Sequence, residues 1–154
     1  MSKFKMTMES SSPEQTETIG KILARTLKPG DVVALYGDLG AGKTAFTRGL
    51  ASVLSPQDSI TSPTYTIVNE YRSGKQLFCH FDMYRIESED DLESIGFYDY
   101  DKKAIFAIEW SEKIPFALPE CYYKVTIEKT EKEGVRCIDI ERIGDDGNHE
   151  NLIP

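Results

Sequence analysis

Residues 31–54 read DVVALYGDLGAGKTAFTRGLASVL, and this stretch decides the fold. Its first six residues are a nearly unbroken apolar run, the pattern of a strand buried on both faces. GDLGAGKT (37–44) follows. KTAFTRGLASVL (43–54) then sets Phe46, Leu50, Val53 and Leu54 on the core side of an expected helix. A GxxxxGK[ST] segment between a strand and a helix is a phosphate-binding loop in its confirming context. Gly37, Gly40 and Gly42 let the backbone curl so that successive N–H groups converge on phosphate oxygens. The helix adds its positive N-terminal end. Asp38, Leu39, Ala41 and Ala45 complete the nucleotide-binding segment. Lys43 is expected to reach the β- and γ-phosphates, and the Thr44 hydroxyl to ligate Mg2+.

Working outward, SPEQ (12–15) is a capping box, with Ser12 at the N-cap, Pro13 at N1 and Gln15 at N3. Ile19, Ile22, Leu23 and Leu27 continue that helix, and KPG (28–30) ends it. TIVNEY (66–71) and QLFCHFD (76–82) predict a hairpin around RSGK (72–75). ESEDDLESIGF (87–97) predicts a short acidic helix closed by Gly96, read as a solvated face or as a docking surface for a basic partner. AIFAIEW (104–110) is a second fully apolar strand. YYKVTIEK (122–129) and VRCIDIER (135–142) alternate at period two and predict a C-terminal hairpin. The expected order is helix, strand, loop-helix, hairpin, helix, strand, hairpin. This is an α/β P-loop NTPase fold, a mixed sheet with a parallel core extended by antiparallel strands and helices on both faces. One domain is expected over residues 1–144, with 145–154 a polar, frayed tail.

Composition narrows the partners. Lys plus Arg total 18 against 26 Asp plus Glu, a net charge of −8, which argues against direct nucleic-acid binding. The N-terminus lacks the apolar segment of a secretion signal, and no run approaches the length of a spanning helix, so a cytoplasmic protein is expected, without membrane contact. The three cysteines, Cys79, Cys121 and Cys137, form no CxxC pair and are expected to be small buried hydrophobes.

A phosphate loop needs an acid to hold Mg2+ or orient water. Glu109 closes the strand AIFAI, and Asp82 closes LFCHF; both would emerge at the carboxyl edge of the sheet, where ligands of open α/β sheets bind. Glu109 is favoured for Mg2+, directly or through water. Asp82 is expected to bond Thr44 or a metal water, or to orient the attacking water. TSPTYT (61–66) reads as a turn set by Pro63, or as a sensor in which Thr61, Ser62 and Thr64 meet the γ-phosphate. Trp110 is expected in the core, and His80 and His149 form no metal cluster.

The function classes separate on motifs. No NKxD-type guanine reader and no DxxG switch occurs, which disfavours a GTPase. A small-molecule kinase usually carries an Arg-bearing lid, whereas this chain has six Arg and an acidic segment at 87–101. A hexameric motor would be longer. An ATPase with few groups for a second substrate remains, with a P-loop kinase of small molecules or proteins as the alternative and a nucleotide-sensing module as a third.

YGDLGAGKT, SPTYTIVNEY, HFDMYR with its acidic sequel, and AIEW, in this order and spacing, closely resemble the TsaE (YjeE) family, from about residue 10 to about 140. Two departures are visible: Met83 stands where Leu is common, and Ser111 where Pro is common. The resemblance implies a weak, partner-stimulated ATPase required for threonylcarbamoyladenosine in tRNA. It would use ATP as substrate with Mg2+ and work beside TsaD and TsaB, meeting tRNA only through that complex. It implies that Lys43, Asp82 and Glu109 are the catalytic residues, with Thr44 and Glu109 at the metal. It also implies a switch-like loop at Ser62, Pro63, Thr64 and Tyr65, and adenine contacts near Ser12, Pro13, Thr16 and the turn at Gly134.

Overall fold

A computed structural model describes residues 2–38, 40–61, 63, 66–100 and 102–144, with side chains from Lys5 onward. Leu39, Ser62, Thr64, Tyr65 and the expected tail at 145–154 lie outside the described residues. The strands are β1 (Ser2–Ser10), β2 (Val32–Tyr36), β3 (Val68–Tyr71), β4 (Leu77–Asp82), β5 (Ala104–Glu109), β6 (Tyr122–Lys129) and β7 (Arg136–Ile143). The helices are α1 (Pro13–Ala24), α2 (Lys43–Leu54) and α3 (Glu89–Ser94), with short 3-10 turns at Phe97–Tyr100, Ser111–Lys113 and Pro115–Ala117.

The strands form one seven-stranded sheet in the order β1-β7-β6-β2-β5-β4-β3. Its centre is parallel: β2 pairs with both β5 and β6, and β4 pairs with β5. Both flanks are antiparallel, β3 on β4 at one side and β1-β7-β6 at the other. β2 is therefore covered on both edges and both faces, as its apolar run requires. Val33 and Leu35 point to the face under α1 and α2, and Val32 to the face under α3 and the 3-10 turns.

α1 begins as its capping box dictates. The Ser12 hydroxyl accepts from Gln15 N–H at 3.1 Å, while the Gln15 side chain accepts from Ser11 N–H at 2.6 Å. α1 and α2 lie close together because Gly20 and Gly49 face the partner helix. A Cβ at Gly20 would collide with the Phe46 carbonyl, and one at Gly49 with the Glu17 carbonyl. Phe46, Leu50 and Leu23 are fully buried between these helices and the sheet, each contributing about 1.5–3 kcal/mol.

Four expectations need correction. β1 was not expected; Met6 and Met8 alternate along it and pack on the core, and its partner β7 comes at the far end of the chain. Val53 is 37% exposed, because it lies one step round α2 from the buried Leu50–Leu54 stripe. Cys79 is buried, and that burial pushes its thiol up to about 12, but Cys121 and Cys137 are only partly buried, on or just before the C-terminal hairpin. β3 begins at Val68, two residues later than TIVNEY suggests, because Ile67 adopts a positive φ of 70°.

Candidate nucleotide site

The carboxyl end of β2 runs directly into the glycine loop. Gly37, Gly40 and Gly42 all have positive φ. At Gly37 a side chain is excluded outright, since its Cβ would strike the Ile127 carbonyl of neighbouring β6. Gly42 is the N-cap of α2, and among the described residues no side-chain hydrogen bond caps that helix. The N–H groups of the first turn are thus left for an acceptor from outside the helix.

Lys43 is buried and donates from Nζ to the Gly37 carbonyl at 2.7 Å. Its ammonium also lies 5.3 Å from the centre of the Trp110 ring. Thr44 is exposed at the first turn of α2, and Ala45 is buried. Asp38 is exposed, and its carbonyl accepts from Ala41 N–H at 3.0 Å, closing the loop's inner turn. Arg136, 95 residues further on in β7, donates from Nε to the Ala41 carbonyl at 3.1 Å. It also reaches the Gly40 carbonyl at 3.4 Å.

Asp82 and Glu109 end two adjacent parallel strands and are direct register partners. The backbone joins them further, Met83 N–H donating to the Glu109 carbonyl at 3.0 Å. Asp82 is buried and accepts at Oδ1 from Tyr84 N–H at 2.9 Å. Glu109 Oε2 lies 2.6 Å from His80 Nε2. β5 is the immediate neighbour of β2, so Glu109 stands one strand from the glycine loop and Asp82 two.

Trp110 is half-buried and packs against the edge of the second core cluster, on the α3 side of the sheet. It has a positive φ of 60°, and its ring lies tilted, 4.9 Å between centroids, against the exposed ring of Tyr84, beside Lys43. The left-handed backbone turns the chain after Glu109, so that the indole meets both that cluster and the Lys43 ammonium.

The start of α1 lies against the same loop. Thr16 is buried, shares a 2.7 Å hydrogen bond with Ser10, and places its methyl 3.9 Å from where a Gly42 Cβ would be. Ser12 and Pro13 open that helix at the surface. Gly134 sits in the β6–β7 turn with open space around it. Pro63 is buried and its carbonyl accepts from Ile67 N–H at 2.7 Å. Thr61 is tied to Asn69, which donates to its carbonyl at 3.0 Å and its hydroxyl at 3.2 Å.

Sequence reasoning missed His80, Arg136 and the site position of Trp110. His80 was legible in principle: it lies two residues before Asp82 in a strand, hence on the same face. Nothing local to Arg136 marks its reach to the loop.

Together the sheet and the site define a class: a mixed α/β protein with a glycine-rich loop between a central strand and a helix. The model of the family "Threonylcarbamoyl adenosine biosynthesis protein TsaE" matches residues 10–138. This chain belongs to the TsaE family. The tRNA threonylcarbamoyladenosine biosynthesis protein TsaE of Bacillus subtilis strain 168 is 40% identical over 119 residues, 77% of this chain and 74% of its own. The protein of that name from Rickettsia conorii is 33% identical over 144 residues, 93% of this chain and 82% of its own. The crystal structure of Bacillus subtilis YdiB superposes with a TM-score of 0.73 at 34% identity, covering 94% of this chain and 88% of that one. No helix among the described residues is long and apolar enough to cross a membrane.

Proposed function

We propose that this chain is a Mg2+-dependent ATPase of low intrinsic activity, stimulated by protein partners and required for threonylcarbamoyladenosine modification of tRNA at position 37. The observation that carries the reading is the pairing of Asp82 with Glu109 at the carboxyl edge, beside the strand that feeds the glycine loop. The residues present fit ATP and its cation. The loop is bare at Gly37, the first turn of α2 is uncapped, and Thr44, Asp82 and Glu109 supply oxygen donors. Hard cations of this kind are held by one or two carboxylates together with substrate phosphates.

In this reading residues 37–45 cradle the phosphates, and Lys43 exchanges the Gly37 carbonyl for the β- and γ-phosphate oxygens. Thr44 and Glu109 would hold Mg2+, whose chemistry there would be charge neutralisation at the phosphates. Asp82 orients the attacking water. Ser12, Pro13, Thr16 and the Gly134 turn border the adenine, and residues 62–65 respond to the γ-phosphate. Membership of the TsaE family supports the place in tRNA modification. The partners are TsaD and TsaB, tRNA is met through their complex, and the setting is the cytoplasm.

Reconstitution tests this. TsaD, TsaB, the enzyme that makes threonylcarbamoyl-adenylate, tRNA, ATP and threonine are combined with and without this chain, and modification is scored over many turnovers. Multiple turnover is expected only with the chain present, and not with Lys43→Ala or Glu109→Ala. Full-speed hydrolysis by the isolated chain, indifferent to partners, would overturn the reading. Labelled γ-phosphate appearing on an acceptor would point instead to a kinase.

A further inference from the structure

We infer that His80 is a positioning residue that holds the Glu109 carboxylate in its working orientation. The inference rests on the reading of Glu109 as an oxygen donor at the phosphate site.

Three observations carry it. His80 and Asp82 alternate along β4, so both project to the face that Glu109 shares across the pair. His80 Nε2 meets Glu109 Oε2 at 2.6 Å, the short distance of a charge-assisted hydrogen bond. The imidazole is 1% exposed, and its other nitrogen, Nδ1, is buried without a hydrogen-bond partner among the described residues.

A buried imidazole with a single bond is an unusual arrangement for a structural histidine, which would ordinarily satisfy both nitrogens. Here the one bond made is directed at a carboxylate, and a carboxylate only accepts. Nε2 therefore carries the proton, and Nδ1 keeps a bare lone pair. A proton on Nδ1 would leave a buried donor unsatisfied, at greater cost. The bond occupies one carboxylate oxygen and leaves Oε1 for a ligand. A flexible Glu side chain loses rotamer freedom whenever it engages a ligand. His80 imposes that loss at folding, so the carboxylate is already oriented when nucleotide arrives. Partners of this kind, standing behind a metal-binding carboxylate, typically change metal affinity by about 10–100-fold.

The test compares His80→Leu, which removes the donor, with His80→Gln, whose amide nitrogen reaches where Nε2 stood. The readouts are ATP affinity without a divalent cation, Mn2+ affinity of the ATP complex by electron paramagnetic resonance, and turnover. His80→Leu is expected to leave cation-free ATP affinity within about 2-fold and to weaken Mn2+ about 10-fold, with His80→Gln recovering most of it. In the Glu109→Gln background His80→Leu should cost nothing more. If Glu109→Gln alone keeps wild-type Mn2+ affinity and turnover, the functional reading of Glu109 fails, whatever His80 does. If Glu109→Gln loses both while His80→Leu matches wild type, or the two losses multiply, the inference about His80 fails and the functional reading stands. A measurement on the wild-type chain does not depend on variants folding: long-range 1H–15N spectra should show the imidazole proton on Nε2. A proton on Nδ1 alone would overturn the inference.

Discussion

Asp82 and Glu109 occupy paired positions on two parallel strands, yet each carboxylate is held by a different kind of donor. Asp82 takes the backbone N–H of Tyr84 two residues on, whereas Glu109 takes the ring of His80 from the neighbouring strand. Asp82 is thus fixed by its own loop and Glu109 by the sheet.

This difference predicts separable defects. Asp82→Asn is expected to lower partner-stimulated kcat by about 100-fold or more, the scale of a proton-handling or water-orienting group, with KM for ATP changed by less than about 3-fold. Glu109→Gln is expected to raise the Mg2+ concentration needed for half-maximal rate. Steady-state rates over a Mg2+ series distinguish them; identical profiles for both variants would contradict the division.

Gly37 makes a structural prediction. Its φ of 139° and the adjacent Ile127 carbonyl leave no room for Cβ. Gly37→Ala should destabilise the fold by about 1–3 kcal/mol, the usual cost of overpacking, and abolish ATP binding. Urea unfolding followed by calorimetric titration with ATP checks both. A variant of wild-type stability and affinity would mean that the loop can be rebuilt around a side chain.

Trp110 is the sole tryptophan of the chain, and the Lys43 ammonium lies close to its indole. Drawing that amine toward phosphates changes the field at the ring, so ATP should shift or quench the intrinsic fluorescence with a saturable dependence. Lys43→Ala should change the starting spectrum and weaken ATP binding by about 10–100-fold, the worth of a hydrogen bond to a charged group. An ATP titration that leaves emission flat, while binding is seen by calorimetry, would show that the amine does not move.

A pH dependence follows from the edge of the sheet. The Tyr100 hydroxyl donates to Glu70 on β3 at 2.5 Å and, with the guanidinium of Arg72, holds that carboxyl below its ordinary value against a smaller opposing effect of burial. A carboxyl lowered by folding adds stability above its unfolded pKa and loses it as pH falls through the folded one. Tyr100→Phe should therefore narrow the stability gap between pH 7 and pH 3, by less than about 1 kcal/mol because Glu70 is solvent-screened. The wild-type advantage should begin to shrink near the ordinary Glu pKa of about 4.3 and vanish below it. Thermal unfolding across that range measures it.

What could be read before folding follows the range of the forces involved. The loop, its flanking strand and α2, Val53 apart, were legible residue by residue, because glycine conformation, helix periodicity and lysine charge act over a few positions. α1 was legible from Ser12 and Gln15 for the same reason. β1 was overlooked although Met6 and Met8 alternate, because an isolated alternating run at a chain end carries little signal without its partner, and Thr7 pairs with Asp139. The two acids at the strand ends could be named, but not that they pair. Trp110 was legible as a core-packing aromatic, but not its second contact, with Lys43, because that depends on the φ of 60° after Glu109.

The guanidinium of Arg136 is bonded to the carbonyls of Gly40 and Ala41, and β2 is flanked by β6, a strand made long after it. On the ribosome, then, the most recognisable motif in the chain emerges early but has no finished shape. Its carbonyls wait for a residue still inside the exit tunnel. Nascent chains should acquire nucleotide binding late and all at once, when the β6–β7 hairpin clears the tunnel, so that premature termination anywhere before it yields no half-competent product.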